Sequence, residues 1–158
     1  MSASRLETLV LDTLYDRRQA KTESCIVVNQ AGVELLKAGK EALPVIEQTI
    51  RDVVVPKVTG PTVDEAGFSG LSYLFGAYLV ISSKGSYDAA IPFLRGLPEP
   101  LLEAAVNSAH AFLRKMDGGY NFGVGPFAPL LEFLRELSRS SNPNLRESAV
   151  SYLGTTPQ

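Results

Sequence analysis

The chain holds one histidine and one cysteine, and their settings restrict the chemistry open to them. His110 falls on a polar stripe with Glu103, Asn107 and Arg114 at helical spacing, so it reads as a surface residue. A histidine acting as general base needs an orienting partner, and the sequence places none beside it. With no second histidine, no cysteine cluster and no H-E-x-x-H pattern, a protein-only zinc site is not expected. No cofactor is expected either. Cys25 opens a predicted helix, where the helix dipole lowers a thiol pKa. It precedes Ile26-Val27-Val28, however, and reads as a small buried hydrophobe. Carboxylates pair at helical spacing as Glu99 with Glu103 and Glu132 with Glu136. Acid–base work needs two carboxylates converging on a pocket with separated pKa values. Arg135 and Arg139 lie beside the second pair and give it the pattern of a solvated face. No catalytic residue is assigned.

The glycine-rich stretch 117–126 (DGGYNFGVGP) is the most unusual local feature. A phosphate-cradling loop needs a following Gly-Lys-Ser/Thr, and a dinucleotide fingerprint needs a preceding strand; neither is present. The stretch reads as a loop between two helices carrying Tyr120 and Phe122. Those rings either fold back over the core or form an exposed contact, as loops on rigid scaffolds often do.

The elements that would hold these residues are helices throughout, with no strand expected. The first is predicted over about 6–19, opened by a capping box of Ser4 and Glu7, with Leu6, Leu9, Val10, Thr13 and Leu14 as its inward stripe. The second is predicted over about 23–38, from an N-cap at Thr22 to a stop at Gly39. A third begins near Lys40 and uses Leu43, Ile46, Ile50, Val53 and Val54, with Pro44 in its first turn. The short connection favours an antiparallel pair. Residues 66–81 carry no charge. At 16 residues the run falls short of the roughly 20 that span a bilayer, so a buried fourth helix opened by Thr62 or Asp64 is expected. Ser69, Ser72 and Gly76 give it a face that admits a close neighbour. A short fifth helix is predicted over about 87–94, capped by Ser86. The sixth covers about 100–116 and buries Leu102, Ala105, Val106, Ala109, Leu113 and Met116. The seventh covers about 126–139 and buries Phe127, Leu130, Leu131, Leu134 and Leu137, with Phe133 at the edge. An eighth starts at Asn142-Pro143 and ends at Gly154, with Leu145, Ala149, Tyr152 and Leu153 inward.

Composition bounds the functional classes. The 158 residues suit one domain and a sizeable core. A formal net charge of −2 argues against a phosphate-gripping nucleic-acid binder. The single thiol and the lack of a secretory apolar stretch near the N-terminus point to a reducing, cytoplasmic setting.

Helix openings recur as Ala42-Leu43-Pro44-Val45-Ile46, Ala90-Ile91-Pro92-Phe93-Leu94 and Ala128-Pro129-Leu130-Leu131, with prolines 48 and 37 residues apart. These intervals bracket the 40–47 typical of two-helix HEAT and armadillo units. The clearest unit is 129–154 (PLLEFLRELSRSSNPNLRESAVSYLG), which resembles the HEAT/armadillo-like repeats. The resemblance implies an all-α, short solenoid of about eight antiparallel helices over residues 1–158, the alternative being a compact helical bundle. It further implies a noncatalytic module that binds a protein or peptide through successive second helices. Candidate contacts are Glu47, Arg51, Arg135 and Arg139, with Tyr120 and Phe122 in the loop. The alternative is a ligand-binding or enzymatic protein with a pocket between helices, lined by Tyr73, Tyr78, Tyr120 or His110. An eighth helix lacking its hairpin mate is expected to support a homodimer through a solenoid end.

Overall fold

The computed structural model describes residues 2–17, 19–21, 27–59, 62–63, 67–113 and 128–155. Within them the fold is all-α. Seven helices of eight residues or more (α1 Ala3–Leu14, α2 Gln30–Ala38, α3 Ala42–Thr49, α4 Leu71–Ser83, α6 Glu99–Leu113, α7 Ala128–Leu137 and α8 Pro143–Thr155) are joined by a short α5, Ala90–Arg95. Two minimal antiparallel hairpins, which the sequence did not announce, fill connections: β1 Gln19–Lys21 with β2 Val27–Asn29, and β3 Val58–Thr59 with β4 Thr62–Val63. Strands of two or three residues are too short to show a period-2 pattern.

The arrangement centres on α4. It packs against α1, α2, α3 and α6, while α6 packs in turn against α8, and α8 against α7. From Leu74 to Ser83 every residue of α4 is buried, as expected of a helix apolar on all sides. No helix among the described residues is long and apolar enough to cross a membrane. α2 and α3, joined by the 3-10 turn Gly39–Glu41, pack more extensively on α1 than on each other. Beyond α3 the helix continues as a π-helical turn, Ile50–Val54, and a 3-10 turn, Val55–Lys57. The β-branched run Val53-Val54-Val55 is thus a helix end and not a strand.

Several boundaries move for local reasons. α1 starts earlier than expected because Ser2, not Ser4, is its N-cap and accepts from the Arg5 N–H at 3.3 Å. It stops at Leu14, where Asp16 turns to φ 52°. α2 begins at Gln30 with Asn29 as its N-cap; Thr22, like residues 22–26 generally, lies outside the described residues. Gly39 closes α2 at φ 70°, as predicted. α4 begins at Leu71, after Gly70 rather than at Thr62 or Asp64. Ser86 does not cap α5. Ser86 and Tyr87 take φ of 58° and 63° in a turn that delays the helix to Ala90. On α7 the edge and the stripe exchange: Phe133 is fully buried and Leu131 only half-buried. α8 opens as predicted, with the Asn142 carboxamide oxygen accepting from the Asn144 and Leu145 N–H groups. It runs through Gly154 to Thr155.

One junction sets the position of three helices. The last carbonyls of α1 lack partners within their own helix and take donors from elsewhere. The Asn29 amide reaches Thr13 O at 3.0 Å, the Gly70 N–H reaches Leu14 O at 2.8 Å, and the Ser69 hydroxyl reaches Tyr15 O at 3.2 Å. The starts of α2 and α4 are therefore both pinned to the end of α1.

Candidate functional site

With α2 and α4 pinned together at their N-termini and α6 laid along α4, an open cleft remains with α4 as its floor. One compartment, about 460 Å³, lies between the start of α4 and α6; Ser69, Ser72, Asn107 and Ser108 supply its polar groups. The other, about 210 Å³, is apolar and is walled by Val33 and Leu36 of α2, Ala77 and Val80 of α4, and Phe112 of α6. Tyr73 and Phe112 line both compartments, with their rings 6.0 Å apart and tilted by 59°.

The cleft follows from the residue types along α4. An apolar helix must be covered on every side, and α1, α3 and α6 cover most of it. At Ser72 and Tyr73 the cover ends, and Tyr73 is 36% exposed. Across from it Val33, also 36% exposed, stands on α2; with Val150 these are the exposed large apolar side chains among the described residues. Two of the three thus share one mouth. Phe112 comes close to α4 because residue 76 is glycine: a Cβ there would stand 2.5 Å from the ring's Cδ2. The Ser69 and Ser108 hydroxyls donate to Tyr15 O and Ala104 O and keep their lone pairs. None of the described lining residues carries a charge.

The candidate contacts Glu47, Arg51, Arg135 and Arg139 lie away from this cleft. Glu47 and Arg51 do come together, as a 3.6 Å ion pair on α3 and its π-turn. Glu47 accepts a 2.9 Å hydrogen bond from the buried Tyr78 hydroxyl, and the Arg51 guanidinium lies 5.0 Å from the centre of the Phe93 ring. Tyr78 packs edge-on against Phe93 at 5.4 Å. Burial, the bond to Glu47 and that carboxylate's charge hold the Tyr78 hydroxyl far above its ordinary pKa, with Arg51 opposing. This cluster clasps α3, α4 and α5 together. A second arginine repeats the motif: Arg95 of α5 sits 5.3 Å from the Phe133 ring centre and 3.0 Å from Glu136. Arg135 and Arg139 project from the exposed side of α7 and its end. Tyr120, Phe122 and Cys25 lie outside the described residues.

Of the aromatic groups named for a ligand pocket, Tyr73 alone lines the cleft among the described residues. Tyr78 is committed to Glu47, and His110 is half-buried with its ring 5.2 Å from that of Tyr152. Burial raises the Tyr152 hydroxyl to about 12. Tyr87 is pushed up by burial and by Tyr152, with Ser83 acting the other way. Among the described residues no group of three His, Cys, Asp or Glu side chains is disposed to hold a metal ion. No protein-family model, curated protein or solved structure matches the chain.

Ser69, Ser72, Tyr73 and Gly76 stood out in the sequence, but the cleft they help to line did not, because helical stripes identify what is inward, not which inward face is left uncovered. Gly76 was the available signal. It marked a close approach, though the approaching group is a ring rather than a backbone.

Proposed function

We propose that the chain is a noncatalytic peptide-binding module and that the α2–α4–α6 cleft is its binding surface. The observation that carries this reading is the pairing of Val33 and Tyr73, two exposed large apolar side chains, at the mouth of an apolar compartment that opens into a polar trough. Contiguous exposed apolar surface of this kind marks interaction sites. An open cleft suits a segment of polypeptide better than a small ligand, because ligand pockets enclose most of their occupant.

The HEAT-like part of the reading is narrower than the resemblance implied. The packing of α7 on α8 and the run α4–α6–α8 support a stacked hairpin in the C-terminal part. The enclosure of α4 by α1, α2, α3 and α6 favours a compact bundle before it.

Panning a phage-displayed random peptide library against the wild-type protein tests the proposal. Enriched peptides are expected to carry one large apolar residue among uncharged neighbours and to lose binding to Val33→Asp, a change at an exposed position. Enrichment of charged peptides, or equal binding to Val33→Asp, would refute it.

A further inference from the structure

We infer that the apolar compartment is an anchor site for a single large side chain of a neutral peptide segment, and that Gly76 sets the size of anchor it admits. This rests on the cleft being the binding surface. The volume fixes the scale. An apolar cavity of about 150 Å³ takes up benzene, so the 210 Å³ here holds one ring or one branched aliphatic side chain and not two. The Tyr73–Phe112 pair divides this space from the trough. A bound segment therefore drops one side chain past the two rings and leaves its flanks among Ser72, Asn107 and Ser108. The described lining offers no counter-charge, and burying an unpaired charge is costly. The anchor is accordingly apolar, and charged residues next to it are disfavoured.

Gly76 is the residue that shapes this compartment. A glycine within a helix costs about 1 kcal/mol relative to alanine, and Gly76 stands in the middle of α4. The nearest groups to a Cβ at this position are all atoms of one ring: Phe112 Cδ2 at 2.5 Å, Cε2 at 2.7 Å and Cγ at 2.9 Å. No backbone of α6 is among them. Glycine here serves the seating of the Phe112 ring, and that ring is a wall of the anchor site. Phe112 is only partly buried, so a methyl group at residue 76 displaces the ring without breaking the helix packing. The displaced ring intrudes on the anchor space.

The test takes a peptide selected on the wild-type protein and replaces its apolar anchor in turn by Ala, Val, Leu, Phe, Trp and Lys. Affinities are measured by fluorescence polarisation for wild type and Gly76→Ala, with thermal unfolding of both. Wild type is expected to prefer Leu or Phe and to reject Lys. Gly76→Ala is expected to remain folded and to move the preference toward Val or Ala by about tenfold, the scale of one or two methylenes in a pocket. A folded Gly76→Ala with an unchanged anchor order overturns the role of Gly76 while leaving the cleft reading intact. A selected peptide indifferent to its anchor overturns the anchor site. Failure of the wild-type protein to select any peptide sinks the cleft reading itself. Should Gly76→Ala fail to fold, Phe112→Leu opens the same wall from the other side, and it must move the preference toward larger anchors or the proposal is wrong.

Discussion

Removing the Tyr78 hydroxyl probes the clasp that fixes α4, the cleft floor, against α3. The hydroxyl is fully enclosed and donates to Glu47 Oε2 at 2.9 Å, and Glu47 is itself 3.6 Å from the Arg51 guanidinium. A hydrogen bond to a charged acceptor contributes about 1.5–3 kcal/mol, so Tyr78→Phe is expected to destabilise within that range. Glu47→Ala leaves the buried hydroxyl without its acceptor, at a cost of about 1–3 kcal/mol. The Arg51 pair adds little, because the Arg51 side chain is 54% exposed and exposed pairs contribute about 0–1 kcal/mol. Once either partner is gone the other has nothing left to lose. The double variant should therefore be less damaged than the sum of the single ones, by about 1–2 kcal/mol. Urea unfolding of the four proteins, followed by far-ultraviolet circular dichroism, measures this directly. Glu47→Gln, which keeps an acceptor, should lose less than Glu47→Ala. Losses that add to within about 0.5 kcal/mol would show that the hydroxyl and carboxylate do not act on each other, and the clasp would fall.

Two further outcomes follow from other parts of the fold. Tyr78, Tyr87 and Tyr152 all have folded pKa values raised above the ordinary 10.0. A raised value means the folded state holds its proton when the unfolded chain has released it, so stability is unaffected below about pH 10 and declines above it. For Tyr152 the decline runs from 10.0 to about 12; urea midpoints taken across that window should fall, and a flat profile would contradict the burial of these hydroxyls. Glycine replacements should diverge sharply. A Cβ on Gly70 would lie 1.7 Å from the Thr13 carbonyl oxygen, so Gly70→Ala should cost about 3 kcal/mol or more. Gly154 has nothing within 4 Å of its Cβ position and lies within α8, so Gly154→Ala should stabilise by up to about 1 kcal/mol. Thermal unfolding of the two variants separates them; equal shifts would show the α1–α4 junction to be misplaced.

Helical stripes made the all-α class and most of the interior legible. Leu6, Leu9, Val10 and Leu14 on α1, and Leu102, Ala105, Val106 and Ala109 on α6, are buried as their spacing indicated. Caps were legible where a local signal marks the helix start, as Pro143 does directly after Asn142. They were not where no such signal follows. Asn29 caps α2 while its amide holds the end of α1, and nothing in its sequence neighbourhood signals the second task. Gly70 falls inside the run expected to be helical from Thr62 or Asp64; it instead precedes α4 and permits its backbone to meet α1. Tyr87 looked like a helix start, yet it is fully buried in a left-handed turn. The cleft was least legible of all. The run 66–81 is uniformly uncharged, so only the placement of the surrounding helices distinguishes exposed Tyr73 from Tyr78, which meets Glu47 of α3 and Phe93 of α5.

Mapping a selected peptide onto the protein by heteronuclear NMR tests the central claim most directly. Binding at the α2–α4–α6 cleft predicts the largest shift changes at Val33, Leu36, Tyr73, Gly76, Ala77, Val80 and Phe112. Changes concentrated instead at Glu47, Arg51, Arg135 and Arg139 would contradict it and assign binding to the second-helix face.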